Sequence, residues 1–338
     1  MFLEACETAR VTWNVLALPP LPEDAVRGLL ADLDGRVEVR VPARHDRAAL
    51  LDALPEAEIV VGDWSGALAL DAEAVRLAPR LAFVQQPSVG VDGHDLEALA
   101  RAGVPLANTA GVNAAAVAEW CLAAALALLR HLADGDRAMR AGEWPQFAYQ
   151  RRELSGCRVG VIGFGPIGAA CARMFGALGC RVSYWSRTPK PETYGADYSD
   201  LDALVAGSDV VVLAVALAPE TLGLIDAARI ARMPRGSMLV NAARGAVVDN
   251  AALSAALESG HLAGAALDVY DSEPPAPDDP LRSCPQVLLS PHAAGVTPEA
   301  TMRLIRCVLD NVTAATEGRP VVNVVNGADP LVRRRVPS

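Results

Sequence analysis

Four residues carry the chemistry that this sequence suggests: Arg244 in "VNAARGAVVD", Asp268 in "AALDVY", Glu273 in "DSEPP" and His292 in "LSPHAAGVT". Each follows a short β-rich run. They therefore stand at the carboxyl ends of predicted strands, where open α/β sheets bind their ligands. Singly, each has a bland reading: a lone histidine usually fills surface or core, an arginine after a strand usually pairs with a carboxylate, and Glu273 could simply be solvated. Together they match one requirement. Hydride transfer to a 2-keto acid needs a cation for the carboxylate, an acid to protonate the developing alkoxide, and a carboxylate that keeps that acid protonated and oriented. Arg244, His292 and Glu273 supply those three roles.

A hydride acceptor needs a donor, and the stretch "VGVIGFGPIG" offers a place for one, with Gly163, Gly165 and Gly168 as GxGxxG directly after a predicted strand and opening a helix. Each glycine has a physical task. Gly163 allows the tight turn, Gly165 lets the backbone approach a pyrophosphate, and Gly168 lets helix and strand pack closely. The diphosphate would lie at the helix N-terminus, where free N–H groups and the helix dipole favour negative charge. About 20 residues further on, the stretch "YWSRTPK" carries Ser186 where an NAD-specific site has an acid that repels a 2′-phosphate. Arg187, Thr188 and Lys190 can donate to such a phosphate, so NADP(H) is the favoured cofactor and NAD(H) the alternative.

These residues need a scaffold, and β-rich runs alternating with Ala/Leu-rich helical stretches predict parallel sheets with crossover helices. The class is α/β. Strands are expected at 11–18, 36–41, 58–62, 81–86 and 104–108, then at 158–163, 181–185, 210–215, 237–243, 263–269 and 286–290. The second set fits a Rossmann-type doubly wound sheet, and the first a smaller flavodoxin-like one. Helices are expected at 22–33, 95–103 and about 114–133, the last followed by a polar connector, and the Pro-rich "SEPPAPDDP" reads as an ordered loop.

At 338 residues, with 52% hydrophobic and 21% charged residues, the chain can bury a large core in two globular units. A formal charge of −10 and a pI near 5.0 disfavour nucleic acid and anionic membrane as partners. The longest apolar run, Trp120 to Leu129, is too short to span a bilayer. The opening "MFLEACETAR" has acids where a signal peptide needs bases, so a cytoplasmic location is expected. Seven scattered cysteines, none spaced CxxC, suggest neither a disulfide framework nor a metal site.

The blocks "SVGVDGHD", "NTAGVNAAAVAEW", "GVIGFGPIG", "VNAARGAVVD", "ALDVYDSEP" and "SPHAAGVT" follow one another in an order and spacing that resembles the D-isomer-specific 2-hydroxyacid dehydrogenases over nearly the whole chain. The resemblance implies that Arg244 binds the substrate carboxylate, that His292 is the general acid in reduction, and that Glu273 pairs with it. It places Asp268 by the nicotinamide carboxamide and the backbone of Val89 and Gly90 at the carboxylate. The cofactor set is then Gly163, Gly165, Pro166, Ile167, Gly168, Ser186, Arg187, Thr188, Ala243 and Asp268. It further implies a discontinuous substrate domain of residues 1–109 and 295–338, a dinucleotide-binding domain of 110–294, hinges near Ala110 and Ala294, and a homodimer contact through the Ala-rich helix. The implied activity is that of a glyoxylate or hydroxypyruvate reductase-like enzyme on a small 2-keto or D-2-hydroxy acid.

Departures from the family pattern bear on the substrate. Phosphoglycerate-oxidising relatives carry an arginine where "QQPSVGVD" has Gln86, and Asp63 in "GDWSGA" would repel a phosphate. Trp64 beside it reads either as a cap on a pocket for small 2-keto acids or as core. Ala216 replaces a usual proline, and Glu273 stands where formate dehydrogenases have glutamine, which argues against formate. His45, His94, His131 and His261 receive no role. Two alternatives stay open: a 3-phosphoglycerate dehydrogenase-like enzyme, and a dinucleotide-sensing scaffold protein that keeps the site residues without turnover.

Overall fold

The structure is a computed structural model and describes residues 12–33 and 35–335. Val11, the first residue of the strand expected at 11–18, and the amino-terminal stretch read for its charge lie outside the described residues. Two compact units emerge, one of Met1–Val112 with Thr301–Ser338 and one of Asn113–Ala300.

The first unit holds five parallel strands, β1 (Trp13–Ala17), β2 (Val37–Arg40), β3 (Ile59–Val61), β4 (Phe83–Gln85) and β5 (Leu106–Ala107), in the order β2-β1-β3-β4-β5. That is the flavodoxin-like order. Alternation along β1 divides the core, since Val15 and Ala17 enter the cluster with Val26, Val308 and Val312, whereas Leu16 joins Leu50, Leu54 and Leu99 on the other face. Both faces are therefore covered, as parallel sheets require. Three helices here begin in the same way: Asp46, Asp71 and Asp95 accept from the N–H of Ala49, Ala74 and Ala98 at 2.8, 2.9 and 2.8 Å. Each carboxylate satisfies a helical N–H that has no partner within the helix.

The second unit holds seven parallel strands, β6 (Arg158–Ile162), β7 (Arg181–Trp185), β8 (Asp197–Tyr198), β9 (Val210–Leu213), β10 (Ser237–Asn241), β11 (Leu262–Leu267) and β12 (Val287–Leu289). Their order, β12-β11-β10-β9-β6-β7-β8, reverses between β6 and β9. This is the doubly wound arrangement, with its switch point directly beside the glycine loop. The sequence reading had missed β8. Asp197 and Tyr198 are exposed and too few to alternate, so only their pairing with Ser183 and Tyr184 makes them a strand.

Helix Ala114–Arg130 packs Cys121, Ala124 and Ala125, small residues that permit close approach, in one core with Cys171, Ala172 and Phe175 of helix Pro166–Ala177. His131 ends it in a left-handed conformation, φ 51°. A further helix, Leu132–Arg140, occupies what reads in sequence as the polar connector. Its exposed face is paired along the helix, Arg140 meeting Asp136 at 2.8 Å four residues away, which stabilises a helix that buries Ala138 alone of its residues.

Candidate active site

The glycine loop leaves β6 with Gly163 at φ +97°. A β-carbon there would collide with the carbonyl of Ala214, and one on Gly168 with the carbonyl of Gly163, so both positions require glycine for packing. Gly165 differs. It is the N-cap of helix Pro166–Ala177 and an added β-carbon would meet nothing within 4 Å. No side chain caps this helix, Pro166 fills its first turn, and Gly165 and Pro166 are exposed with Ile167 half-buried. An uncapped helix end with open space at its middle glycine fits the diphosphate of a dinucleotide.

After β7 the chain turns at Ser186, which is buried and donates its hydroxyl to Thr188 O at 2.7 Å. Lys190 N donates to the hydroxyl of Tyr184, itself packed at a tilt against Phe164 of the glycine loop with centroids 3.9 Å apart. The turn is thus anchored from within, while Arg187 and Thr188 remain exposed.

Beyond β10, Asn241 shapes the turn that carries Arg244: its side chain accepts from Ala243 N and donates to Arg244 O, both at 3.0 Å. Ala243 is buried, and Arg244, half-buried and extended at φ −148°, donates to Ala243 O at 2.7 Å. Gly245 lies so close to the backbone of Tyr270 and Asp271 that a β-carbon would collide with both. The arginine turn is therefore seated on the loop that follows β11.

That loop begins with Asp268, 2% exposed, whose two carboxylate oxygens accept from Ala293 N and Ala294 N at 2.8 and 2.9 Å. The acid expected beside the nicotinamide thus clasps the backbone just after His292. His292 has φ 53°, an unusual conformation for a residue with a β-carbon. Its Nδ1 meets Glu273 Oε2 at 2.6 Å, and Glu273 Oε1 accepts from Tyr270 N at 3.2 Å. With Nδ1 engaged, Nε2 is the nitrogen left to exchange a proton. Asn241, Gly245 and Tyr270 escaped the sequence reading although they lie inside its quoted blocks, because turn-shaping contacts have no spacing signature.

Trp64, Val89 and Gly90 belong to the first unit. Trp64 is 41% exposed, which removes the core reading, and it lines an apolar cavity of about 40 Å³ with Pro87, Val61, Leu304 and Val308. Val89 O accepts from Asn108 at 2.7 Å and Gly90 O from Ser88 at 2.8 Å. Asp63, expected to repel a phosphate, is 1% exposed. Its carboxylate is turned into its own loop, accepting from Ser65 N at 2.7 Å, the Ser65 hydroxyl at 2.6 Å and Leu68 N at 3.1 Å, with His45 at 3.2 Å. Gln86 is equally committed: its amide donates to Asp63 O at 3.0 Å and to the Ser88 hydroxyl at 2.9 Å, and its oxygen meets His94 Nε2 at 3.2 Å. His94 Nδ1 accepts from Leu70 N at 3.1 Å, so the ring is neutral with its proton on Nε2, and burial pushes its pKa down to about 4.

A family model described as the NAD binding domain of D-isomer specific 2-hydroxyacid dehydrogenase matches residues 122–294. The D-3-phosphoglycerate dehydrogenase of Archaeoglobus fulgidus is 34% identical over 316 residues, 93% of this chain and 59% of that protein, so the chain spans about three fifths of that relative's length. The glyoxylate reductase of Pyrococcus furiosus is 36% identical over 317 residues, covering 90% of this chain and 93% of the relative. Among solved structures, an NADPH-dependent glyoxylate/hydroxypyruvate reductase from Sinorhizobium meliloti, in complex with NADP and malonate, superimposes with a TM-score of 0.83 at 27% identity, covering 96% of this chain and all of that one. The reversing sheet order, the glycine loop at its switch point and the Glu273–His292 pair agree with these matches, and the chain belongs to the D-isomer specific 2-hydroxyacid dehydrogenase family.

Proposed function

We propose that the protein is an oxidoreductase that reduces a small 2-keto acid to the D-2-hydroxy acid at the expense of a reduced nicotinamide dinucleotide. The observation that carries this reading is the 2.6 Å contact between Glu273 and His292 Nδ1, on the same carboxyl edge of a parallel sheet as the glycine loop and Arg244. Gly163, Gly165, Pro166, Ile167 and Gly168 would hold the diphosphate, with Ala243 and Asp268 near the nicotinamide, and the cofactor when bound supplies the hydride. Arg244 binds the substrate carboxylate and polarises the carbonyl. His292 holds a proton at Nε2 for the developing alkoxide, and Glu273 fixes the orientation of the ring. Val89 and Gly90 stay assigned to the substrate carboxylate and Trp64 to the substrate side chain on the family likeness.

Glyoxylate and hydroxypyruvate are the first substrates to test, because the commitment of Gln86 to Asp63, Ser88 and His94 leaves a neutral, occupied group where a phosphate would want a cation. The direct assay follows absorbance at 340 nm with glyoxylate, hydroxypyruvate, pyruvate, longer 2-keto acids and, in the oxidative direction, 3-phosphoglycerate. Turnover of 3-phosphoglycerate alone would favour the phosphoglycerate reading. No turnover, with a change of oligomeric state on adding cofactor, would favour the scaffold reading.

NADP(H) is the favoured cofactor because Ser186 brings no charge against a 2′-phosphate and Arg187 is exposed beside it. A charge-assisted hydrogen bond contributes about 1.5–3 kcal/mol, roughly ten- to a hundredfold in affinity. Arg187→Ala should lower kcat/KM for NADPH by that factor and leave NADH nearly unchanged. A wild type that prefers NADH would overturn the preference. A homodimer and a cytoplasmic location complete the reading: Leu132, Met139, Trp144 and Phe147 expose 59, 51, 75 and 90% of their surface along one stretch of chain, and the described cysteines are all free.

A further inference from the structure

We propose that Tyr270 is a positioning residue that sets the Glu273–His292 pair, an inference that rests on reading the pair as the proton-transfer group. Tyr270 touches three parts of the site. Its backbone N–H donates to Glu273 Oε1 at 3.2 Å, which leaves Oε2 to meet His292 Nδ1 at 2.6 Å. Its hydroxyl donates to Ser290 O at 2.8 Å, two residues before His292, with Leu267 O more distant at 3.2 Å. Its main chain is the surface on which Gly245 packs, and Gly245 follows Arg244 directly.

The geometry around His292 explains why such a clasp is needed. A left-handed conformation costs a residue with a β-carbon free energy, so φ 53° persists only where neighbours over-determine it. Two side chains from one segment do so. Tyr270 holds the carbonyl at Ser290, and Asp268 holds the N–H groups of Ala293 and Ala294 at 2.8 and 2.9 Å, so the chain is pinned on both sides of the histidine. A phenol has one proton to give, and burial raises the Tyr270 pKa against the opposing effect of its bond to Ser290, which keeps that proton in place through the neutral range. Nothing in this arrangement brings Tyr270 to the reacting atoms. It acts through the pair.

Tyr270→Phe keeps the ring and removes only the hydroxyl. Losing one buried hydrogen bond that orients the pair should lower kcat by about tenfold while the dissociation constant for the reduced cofactor, read by fluorescence titration, stays unchanged. KM for the keto acid should stay near wild type, so that the loss falls on kcat. Combined with Glu273→Gln, the substitution should lower kcat no further than Glu273→Gln alone, since both act on one interaction. An unchanged kcat, a loss carried by KM, or an additive loss in the double variant would overturn the inference. His292→Ala, measured alongside, separates the two levels: near-native kcat there removes the proton-transfer reading itself, whereas a large loss there with a silent Tyr270→Phe removes only the role of Tyr270.

Discussion

In the proposed roles Arg244 and His292 should fail differently when removed, one contact persisting throughout the reaction and the other mattering as the proton moves. His292→Ala should lower kcat by about 10²–10⁴ with little change in cofactor binding, the usual size of general acid–base catalysis. Arg244→Ala should raise KM for the keto acid and lower kcat together, since its bond to the carboxylate persists and its pull on the carbonyl strengthens as charge develops. Steady-state kinetics with saturating cofactor separates the two patterns. Glu273→Gln should lower kcat and leave cofactor affinity near wild type, as an amide cannot hold His292 Nδ1 as the carboxylate does at 2.6 Å. These residues could be singled out in the sequence because hydride chemistry asks for a cation, an acid and a carboxylate at strand ends. The left-handed φ of His292 and the Asp268 clasp were not, since both arise from where the chain returns after β12.

The loop between β6 and helix Pro166–Ala177 separates two duties that the glycine pattern runs together. Gly168 packs on the carbonyl of Gly163, whereas Gly165 faces open space. Gly165→Ala should therefore leave Tm within about a degree of wild type yet raise KM for the cofactor by about tenfold or more, its β-carbon taking room meant for the diphosphate. Gly168→Ala should lower both Tm and cofactor affinity, because overpacking costs about 1–3 kcal/mol and displaces the start of the helix. Thermal unfolding and cofactor titration on the two variants test this contrast. The strand–turn–helix order predicted the loop correctly, but β8 and helix Leu132–Arg140 went unread, since β8 is two exposed residues and the helix buries Ala138 alone in a stretch that is polar on average.

For the molecule as a whole, the buried network of the first unit links stability to pH. Desolvation pushes His94 from 6.5 down to about 4, against the nearby charges of Asp63 and Asp92, and Leu70 N already occupies Nδ1. The unfolded chain then binds a proton that the folded chain refuses between those values, so stability falls as pH drops from about 6.5 to about 4 and levels below. The full effect is about 3 kcal/mol, and His94→Gln should flatten the Tm profile in that window. Association can be tested as directly. Sedimentation should give a dimer for the wild type and a shift toward monomer for Trp144→Ala with Phe147→Ala, the residues that expose 75 and 90% of their surface.

The sequence by itself determined the α/β class, the succession of two parallel sheets along the chain and the glycine loop, and it singled out Arg244, Glu273 and His292 as candidates, because alternation, strand–helix succession and residue chemistry are local properties of the chain. Tertiary structure alone decided how those groups are held. Gln86 reaches back to Asp63, Asp268 grips the backbone after His292, and Tyr270 holds the carbonyl of Ser290, all through contacts between segments that the chain order keeps apart. Spacing along a sequence reports which face of an element a residue occupies, and only the meeting of loops at the end of a sheet decides which N–H, carbonyl or carboxylate it finds there.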